Sequence, residues 1–334
     1  MRYFLKSFAA RCLNDLGIID HFEQRQKVIH FLMLHQVNPA ENAMGLSISP
    51  ELFESLVEFL KSRHELISID QAIERLLENH LSTACVLTFD DGYRDNYDFA
   101  FPILKKHDVP ATIFVTLDAL DSGVFGWDLF DQAVTHTDSN FLDLRSFELG
   151  KLALSKQNRQ SLIFELHNLL KTLPDSLKRQ IVNHVIACYG DKINCQRAML
   201  SWSEAREMAN SKLITIGAHT ITHPILSRVD SEQAENEIIE GKACIEERLG
   251  LPVHYFAYPN GSEKDFNKEH VDMVRKAGYR AACSTIAGSN GFGSDLFALK
   301  RIDVTTRMCA DSSGRFSPSL FLANLAGWFL RGGS

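Results

Sequence analysis

The sequence has no basic block, no low-complexity tract, no internal repeat and no apolar run long enough to span a bilayer. Lysine and arginine number 35 against 42 acidic residues, giving a formal net charge of −7, and they are scattered rather than clustered. A nucleic-acid partner is therefore not expected, because holding a polyanion takes a concentrated positive face. The seven cysteines (12, 85, 188, 195, 244, 283 and 309) are odd in number and lack CxxC spacing. Reduced, packed thiols are expected rather than a disulfide framework. Lys6, Arg11, Asn14 and Asp15 interrupt the N-terminal stretch MRYFLKSFAARCLNDLGIIDHF, which excludes a secretory apolar core and leads to the expectation of a cytoplasmic protein. Its apolar positions Phe4, Leu5, Phe8, Ala9, Cys12, Leu13 and Leu16 follow helical spacing. Both this end and the C-terminal SLFLANLAGWFLRGG are expected to be helices packed on the domain, with peripheral contact to a membrane surface as the sharper alternative.

What is present is an ordinary globular balance, 45% hydrophobic and 23% charged, over 334 residues. That length suits one large α/β domain carrying an insertion, or two domains. Short β-rich runs alternate with helical patterns. The strands expected are 28–34, 84–89, 111–115, 213–218, 254–258, 280–285 and 297–304. The helices between them are expected at 50–63, 68–77, 96–107, 231–249 and 268–277. This order argues for parallel βαβ units, hence an α/β barrel or a doubly wound sheet. From about 125 to 199 the rhythm breaks. Turns, a short hairpin and two amphipathic helices at 156–172 and 174–189 read as an inserted cap on a single 1–334 unit.

Three stretches carry the chemistry. In TFDDGYRDNY, the apolar run ACVLTF ends in two adjacent aspartates, Asp90 and Asp91. Like charges at the end of a buried strand raise each other's pKa unless something offsets them. In GAHTITHPILS, His219 and His223 stand four residues apart after another expected strand. Two histidines with one aspartate make a three-ligand site for a divalent metal, with positions left for water and substrate. A metal would offset the aspartate repulsion and leave the second carboxylate free as a general base. In FAYPNG, a Pro-Asn-Gly turn follows a third strand and is suited to turning backbone N–H groups toward an oxyanion. Taken alone, the DDG turn, the histidine pair and the PNG turn are each ordinary; their shared place at strand C-terminal ends joins them.

TFDDG, HTITHP and FAYPNG in this order resemble the polysaccharide deacetylase (NodB-homology) family of carbohydrate esterases, and the resemblance runs from FLMLHQV through LSWSEAREMA to LFALKRIDV. It implies a distorted (β/α) barrel with a mainly helical insertion and a divalent metal, most often zinc. By position, the resemblance makes Asp90 the catalytic base, Asp91, His219 and His223 the metal ligands, and Asn260 the residue whose N–H faces the oxyanion. Thr220 sits where it helps to orient the histidine loop. Two departures stand out. The arginine that many members carry in the third motif is Ala257 here, and the late L-x-H histidine is absent from ALKRIDV. His35, at the end of the first strand, is the candidate general acid, and Arg301 the candidate partner of Asp90. Trp127 and Asp128 are candidates to line a sugar cleft, and Tyr93 and Asn96 to contact substrate or start the next helix. His136, His167, His184, His254 and His270 lack metal-like spacing and read as surface or packing residues. The implied function is removal of N-acetyl groups from an amino-sugar glycan, or from a lipid-linked or nucleotide-linked saccharide at the inner face of the membrane, in surface polysaccharide assembly. An O-acetyl esterase, a deformylase, a non-catalytic glycan-binding member and a docking partner of a glycosyltransferase complex are the alternatives.

Overall fold

A computed structural model describes residues 9–13, 15–16, 27–40, 45–79, 81–194 and 196–328. Seven parallel strands close into a barrel: β1 Ile29–Leu34, β2 Ala84–Phe89, β3 Ala111–Val115, β4 Ile214–Ala218, β5 Tyr255–Ala257, β6 Ala281–Ala287 and β7 Leu299–Asp303. Each pairs with the next in chain order, and β7 returns to β1 with Phe31 opposite Arg301. Every residue of β1, β2 and β3 is buried, because one face fills the barrel and the other lies under helices. Alternation sorts them: Ile29, Phe31, Ala84, Val86, Phe114, Tyr255, Ala257, Cys283 and Leu299 form one apolar cluster, while Leu32, Leu34, Cys85, Leu87, Phe89, Ile113 and Val115 belong to the larger cluster shared with the helices.

The ring is irregular. β2 pairs β3 only from Leu87 onward, and the short strand Glu65–Leu66 pairs the beginning of β2 instead. The β6–β7 register also shifts between Cys283 and Ala287. The expected strands and the helices Pro50–Arg63, Ile69–Glu78, Ser231–Leu249 and Lys268–Lys276 all form, within a residue or two of their expected bounds. The expected helix at 96–107 is two pieces, a π-helical turn Asn96–Ala100 followed by an α-helix Phe101–His107. Pro102 explains the break, since its missing N–H cannot serve the ordinary ladder at the join.

Between β3 and β4 the chain builds the helices Gly126–His136, Arg159–Leu170 and Asp175–Tyr189 and an antiparallel hairpin of Phe141–Asp143 with Lys151–Ala153. They bury their own cluster, including Phe130, Val134, Leu142, Ile163, Leu166, Ile181 and Val185. The segment rejoins the barrel at the aspartate turn: Arg94 N–H donates to the Ala198 carbonyl at 2.8 Å and Leu200 N–H to the Gly92 carbonyl at 3.0 Å. The C-terminal helix Pro318–Leu325 packs into the core with Leu320 through Leu325 buried. Of the expected N-terminal helix, residues 9–13 are helical, while Phe4, Leu5 and Phe8 lie outside the described residues. Among the described residues all cysteines are free, and no helix is long and apolar enough to cross a membrane.

Candidate active site

Alternation along β2 sends Val86, Thr88 and then Asp90 toward the barrel axis, and along β7 sends Leu299 and Arg301 the same way. Asp90 is 2% exposed and Arg301 1% exposed. The guanidinium holds both carboxylate oxygens in a fork, Nη1–Oδ1 and Nη2–Oδ2 each 2.7 Å, while its Nε donates to the Ser284 carbonyl at 2.7 Å. Beneath, it lies over the Phe114 ring, 5.8 Å from the centroid. Burial pushes the Asp90 pKa up, but the Arg301 charge and then His219 outweigh it, and the carboxyl is held below its ordinary range. The Arg301 fork thus favours the ionised form of Asp90 and fixes the direction in which its carboxylate faces.

Asp91 turns the other way, at φ 73°. Its Oδ1 lies 3.3 Å from His223 Nε2 and 3.6 Å from His219 Nε2, and the two Nε2 atoms are 3.2 Å apart. An ion bound tetrahedrally at about 2.0–2.1 Å sets its ligand atoms about 3.3 Å apart, so the triangle matches a zinc-sized ion. Two further observations agree. Asp91 Oδ1 is buried without a hydrogen-bond partner among the described residues. The Ala257 carbonyl accepts from His219 Nδ1 at 2.7 Å, fixing that ring's proton on Nδ1 and freeing Nε2 as a ligand. Burial lowers His219 to about 4 despite the pull of Asp90. For Asp91, burial works upward, but His223, His35 and His219 hold the carboxyl far below its usual range.

The loops carry backbone strain at all three motifs. Asp91, Thr220, His223 and Asn260 are non-glycine residues at φ between 57° and 73°, a conformation kept only where surroundings over-determine it. Thr220 does orient the histidine loop, its hydroxyl accepting from His223 N–H at 3.0 Å. At the third motif Gly261 has φ 61°, and a Cβ there would meet the Tyr258 carbonyl oxygen at 2.8 Å, so the turn admits glycine alone.

These groups floor a cleft of about 760 Å³ that also takes in His35, Asn260 and Asp303. All seven residues singled out for catalysis and metal binding (Asp90, Asp91, His219, His223, His35, Asn260 and Arg301) therefore meet in one cavity. Ala257 carries no arginine, but Arg301 reaches the same carboxylate from β7. Asn96 is structural, its side-chain amide donating to the His35 carbonyl at 3.1 Å and the Tyr93 carbonyl at 3.0 Å. Tyr93 is buried and donates to Asp128 Oδ1 at 3.3 Å. Burial, Asp91 and Asp131 push Asp128 up to about 7.

The insertion supplies one wall, which the sequence reading recognised only at Trp127 and Asp128. His167 belongs there too. It is 4% exposed, its Nε2 is 2.6 Å from Asp131 Oδ1, and its ring lies against Trp127 with centroids 4.6 Å apart. It packs, as expected, but it packs facing the cleft. Lys171, its ammonium pKa lowered by burial, completes this wall. The missed signal was helical spacing: Asp128 with Asp131, and His167 with Lys171, are i,i+3 and i,i+4 pairs.

A seven-stranded parallel barrel with a buried, arginine-held carboxylate beside a two-histidine, one-aspartate cluster, all at the strands' C-terminal ends, is the architecture of a carbohydrate deacetylase. The family model for polysaccharide deacetylase matches residues 79–138 and 163–282, more than half of the chain, and the protein belongs to that family. The gap in the match falls on the inserted hairpin. The chain is 22% identical over 292 residues, 86% of its length and 76% of the relative's, to YxkH of Bacillus subtilis (strain 168), itself provisionally described as a polysaccharide deacetylase. Among solved structures it resembles the Streptococcus pyogenes deacetylase PplD in complex with acetate (TM-score 0.57, 19% identity, covering 84% of this chain and 94% of that one). It also resembles IcaB from Ammonifex degensii (TM-score 0.54, 20% identity, 84% and 93%). These two likenesses bear on the fold.

Proposed function

We propose that the protein is a metal-dependent de-N-acetylase acting on an amino-sugar glycan or a lipid- or nucleotide-linked saccharide. The observation that carries this reading is the division of labour between adjacent aspartates, one gripped by Arg301 and one left unpartnered beside His219 and His223. A divalent ion, zinc by donor set and spacing, would be held by Asp91, His219 and His223 and would supply Lewis-acid polarisation of the acetyl carbonyl. Asp90 takes the proton of the attacking water, and Arg301 keeps it ionised and aimed. The Asn260 backbone N–H donates to the tetrahedral oxyanion. His35 protonates the leaving amine, so that acetate and a free amino sugar depart. The substrate class fits a 760 Å³ cleft lined by both apolar and polar groups, and the relative PplD is described in complex with acetate, the product of this reaction.

The test is acetate release from a panel of N-acetylhexosamine glycans and lipid-linked sugars by zinc-reconstituted protein, with Asp90→Asn run alongside. Release by the wild type and not by the variant is expected. Full zinc occupancy with no release from any member of the panel would overturn the N-deacetylase reading.

A further inference from the structure

The two histidines of the site are held differently. His219 has its ring fixed by the Ala257 carbonyl, whereas His223 Nδ1 is buried with no hydrogen-bond partner among the described residues. His223 also sits at φ 58°, where a side chain rarely rests. The ring rests edge-on against Phe125, with centroids 5.2 Å apart, but no hydrogen bond among the described residues fixes its Nδ1, so the backbone of the 219–223 loop shares in setting its place.

That loop is pinned from several sides. Leu117 N–H and Asp118 N–H donate to the carbonyls of Thr220 and Ile221 at 3.2 and 2.9 Å. On the other side lies Glu237, 3% exposed, from the helix Ser231–Leu249. Its carboxylate accepts the Ile221 and Thr222 N–H groups at 2.8 and 2.9 Å and also the Thr222 hydroxyl. The chain of bonds continues into the insertion. Arg179, on the helix Asp175–Tyr189, donates through Nη2 to the Thr222 hydroxyl oxygen, with its Nη2 3.8 Å from the Glu237 carboxylate. Asp175, 3% exposed, pairs with both Arg179 and Lys178 and so fixes the guanidinium on its own helix. The run Asp175–Arg179–Thr222–Glu237 thus ties the insertion, through the residue preceding His223, to the wall of the barrel.

We infer that Arg179 of the insertion is a positioning residue for the metal-ligand loop, acting through Thr222 and Glu237 on the placement of His223. The inference rests on the metal-dependent reading of the site and goes beyond it. It gives the insertion a second role besides walling the cleft, since binding of a divalent ion depends on the insertion being seated. Groups that orient a ligand without touching the metal change metal affinity by about 10–100-fold in other proteins, and this latch belongs to that class.

The experiment measures zinc affinity of the full chain by competition with a chromophoric chelator, and cobalt(II) visible spectra, for wild type, Arg179→Ala, Thr222→Val, the double variant and Arg179→Lys. Thermal melting of each metal-free protein is recorded beside it. Arg179 is partly exposed at the surface of its helix, so Arg179→Ala is expected to fold with an unchanged metal-free melting temperature. Zinc binding should weaken by about tenfold in each single variant. The double variant should be no weaker than the singles, because both act on one bond, and Arg179→Lys should recover part of the loss. Zinc affinities equal to wild type, or losses that multiply in the double variant, would overturn the latch while leaving the metal site intact. A wild type that binds no zinc would overturn the functional reading and this inference with it.

Discussion

Arg301 and Asp90 face each other from strands that are not neighbours: β7 and β2 lie on either side of β1, and the paired 2.7 Å bonds cross the barrel mouth above Phe114. The geometry is the bidentate fork that arginine makes with a carboxylate and that lysine cannot reproduce. Because both groups are buried, removing one strands the other.

Arg301→Met should therefore destabilise the fold by about 3–5 kcal/mol, the cost of an unpaired buried charge, seen as a lower thermal midpoint. Arg301→Lys should fold better but lose about 100-fold in kcat/KM, since the base is no longer aimed. The pH sign follows from linkage. Asp90 has its folded pKa depressed, so its contribution to stability is present above the unfolded value of about 3.9 and is lost as pH falls through the folded value. In Arg301→Lys the acid limb of the kcat/KM profile should move to higher pH. An acid limb that stays in place would remove Arg301 from control of the base.

The metal site makes its own prediction. Chelation should abolish deacetylation and zinc should restore it, and the thermal midpoint should rise with zinc concentration, by about 2.7 kcal/mol of stability at a hundredfold excess over Kd. Asp91→Asn should abolish both effects, because the unpartnered Oδ1 would be the anionic member of the proposed ligand set. Activity that survives exhaustive chelation would exclude a metal role.

His35→Ala should lower turnover of N-acetyl substrates by about 100-fold or more with normal zinc content, as loss of a general acid does. An aryl acetate supplies the contrast, since phenolate leaves without a proton. The variant should hydrolyse it nearly as well as wild type. Equal losses on both substrates would mean that His35 does something other than protonate the leaving group.

The barrel was legible because fully buried parallel strands read as continuous apolar runs, and ACVLTF and ATIFV form strands with the bounds their runs suggest. Most of the candidate site was legible because five of its residues lie in three short motifs. Arg301 showed less clearly: an isolated arginine on a late strand reveals its role only once β7 closes against β1. The helix Gly126–His136 was missed for a local reason. It opens on glycine and Phe125 offers no side-chain cap, so the usual start signal is absent. Consequently the cleft wall it carries, Asp131 above all, had no element to be placed on, and His167 was read without its partner.

Outside the cleft lining, the start of the first barrel strand offers a test of the fold alone. His30 is 2% exposed, its Nδ1 is 2.7 Å from the Ser289 hydroxyl, and burial followed by the charge of His64 lowers its pKa to about 4. A histidine kept neutral in the folded state while the unfolded chain titrates near 6.5 makes the unfolded chain bind more protons between those values. Stability from this group is thus complete above pH 6.5 and is lost progressively as pH falls from 6.5 to about 4, by roughly 3 kcal/mol at most. His64, lowered to about 4 chiefly by its own burial, adds to the same window. Urea unfolding of the metal-free protein at a series of pH values should show this slope, and His30→Asn, which keeps a polar group near Ser289 but cannot titrate, should flatten it. A slope unchanged by the substitution would mean that other groups, the carboxylates first, set the acid limit of the fold.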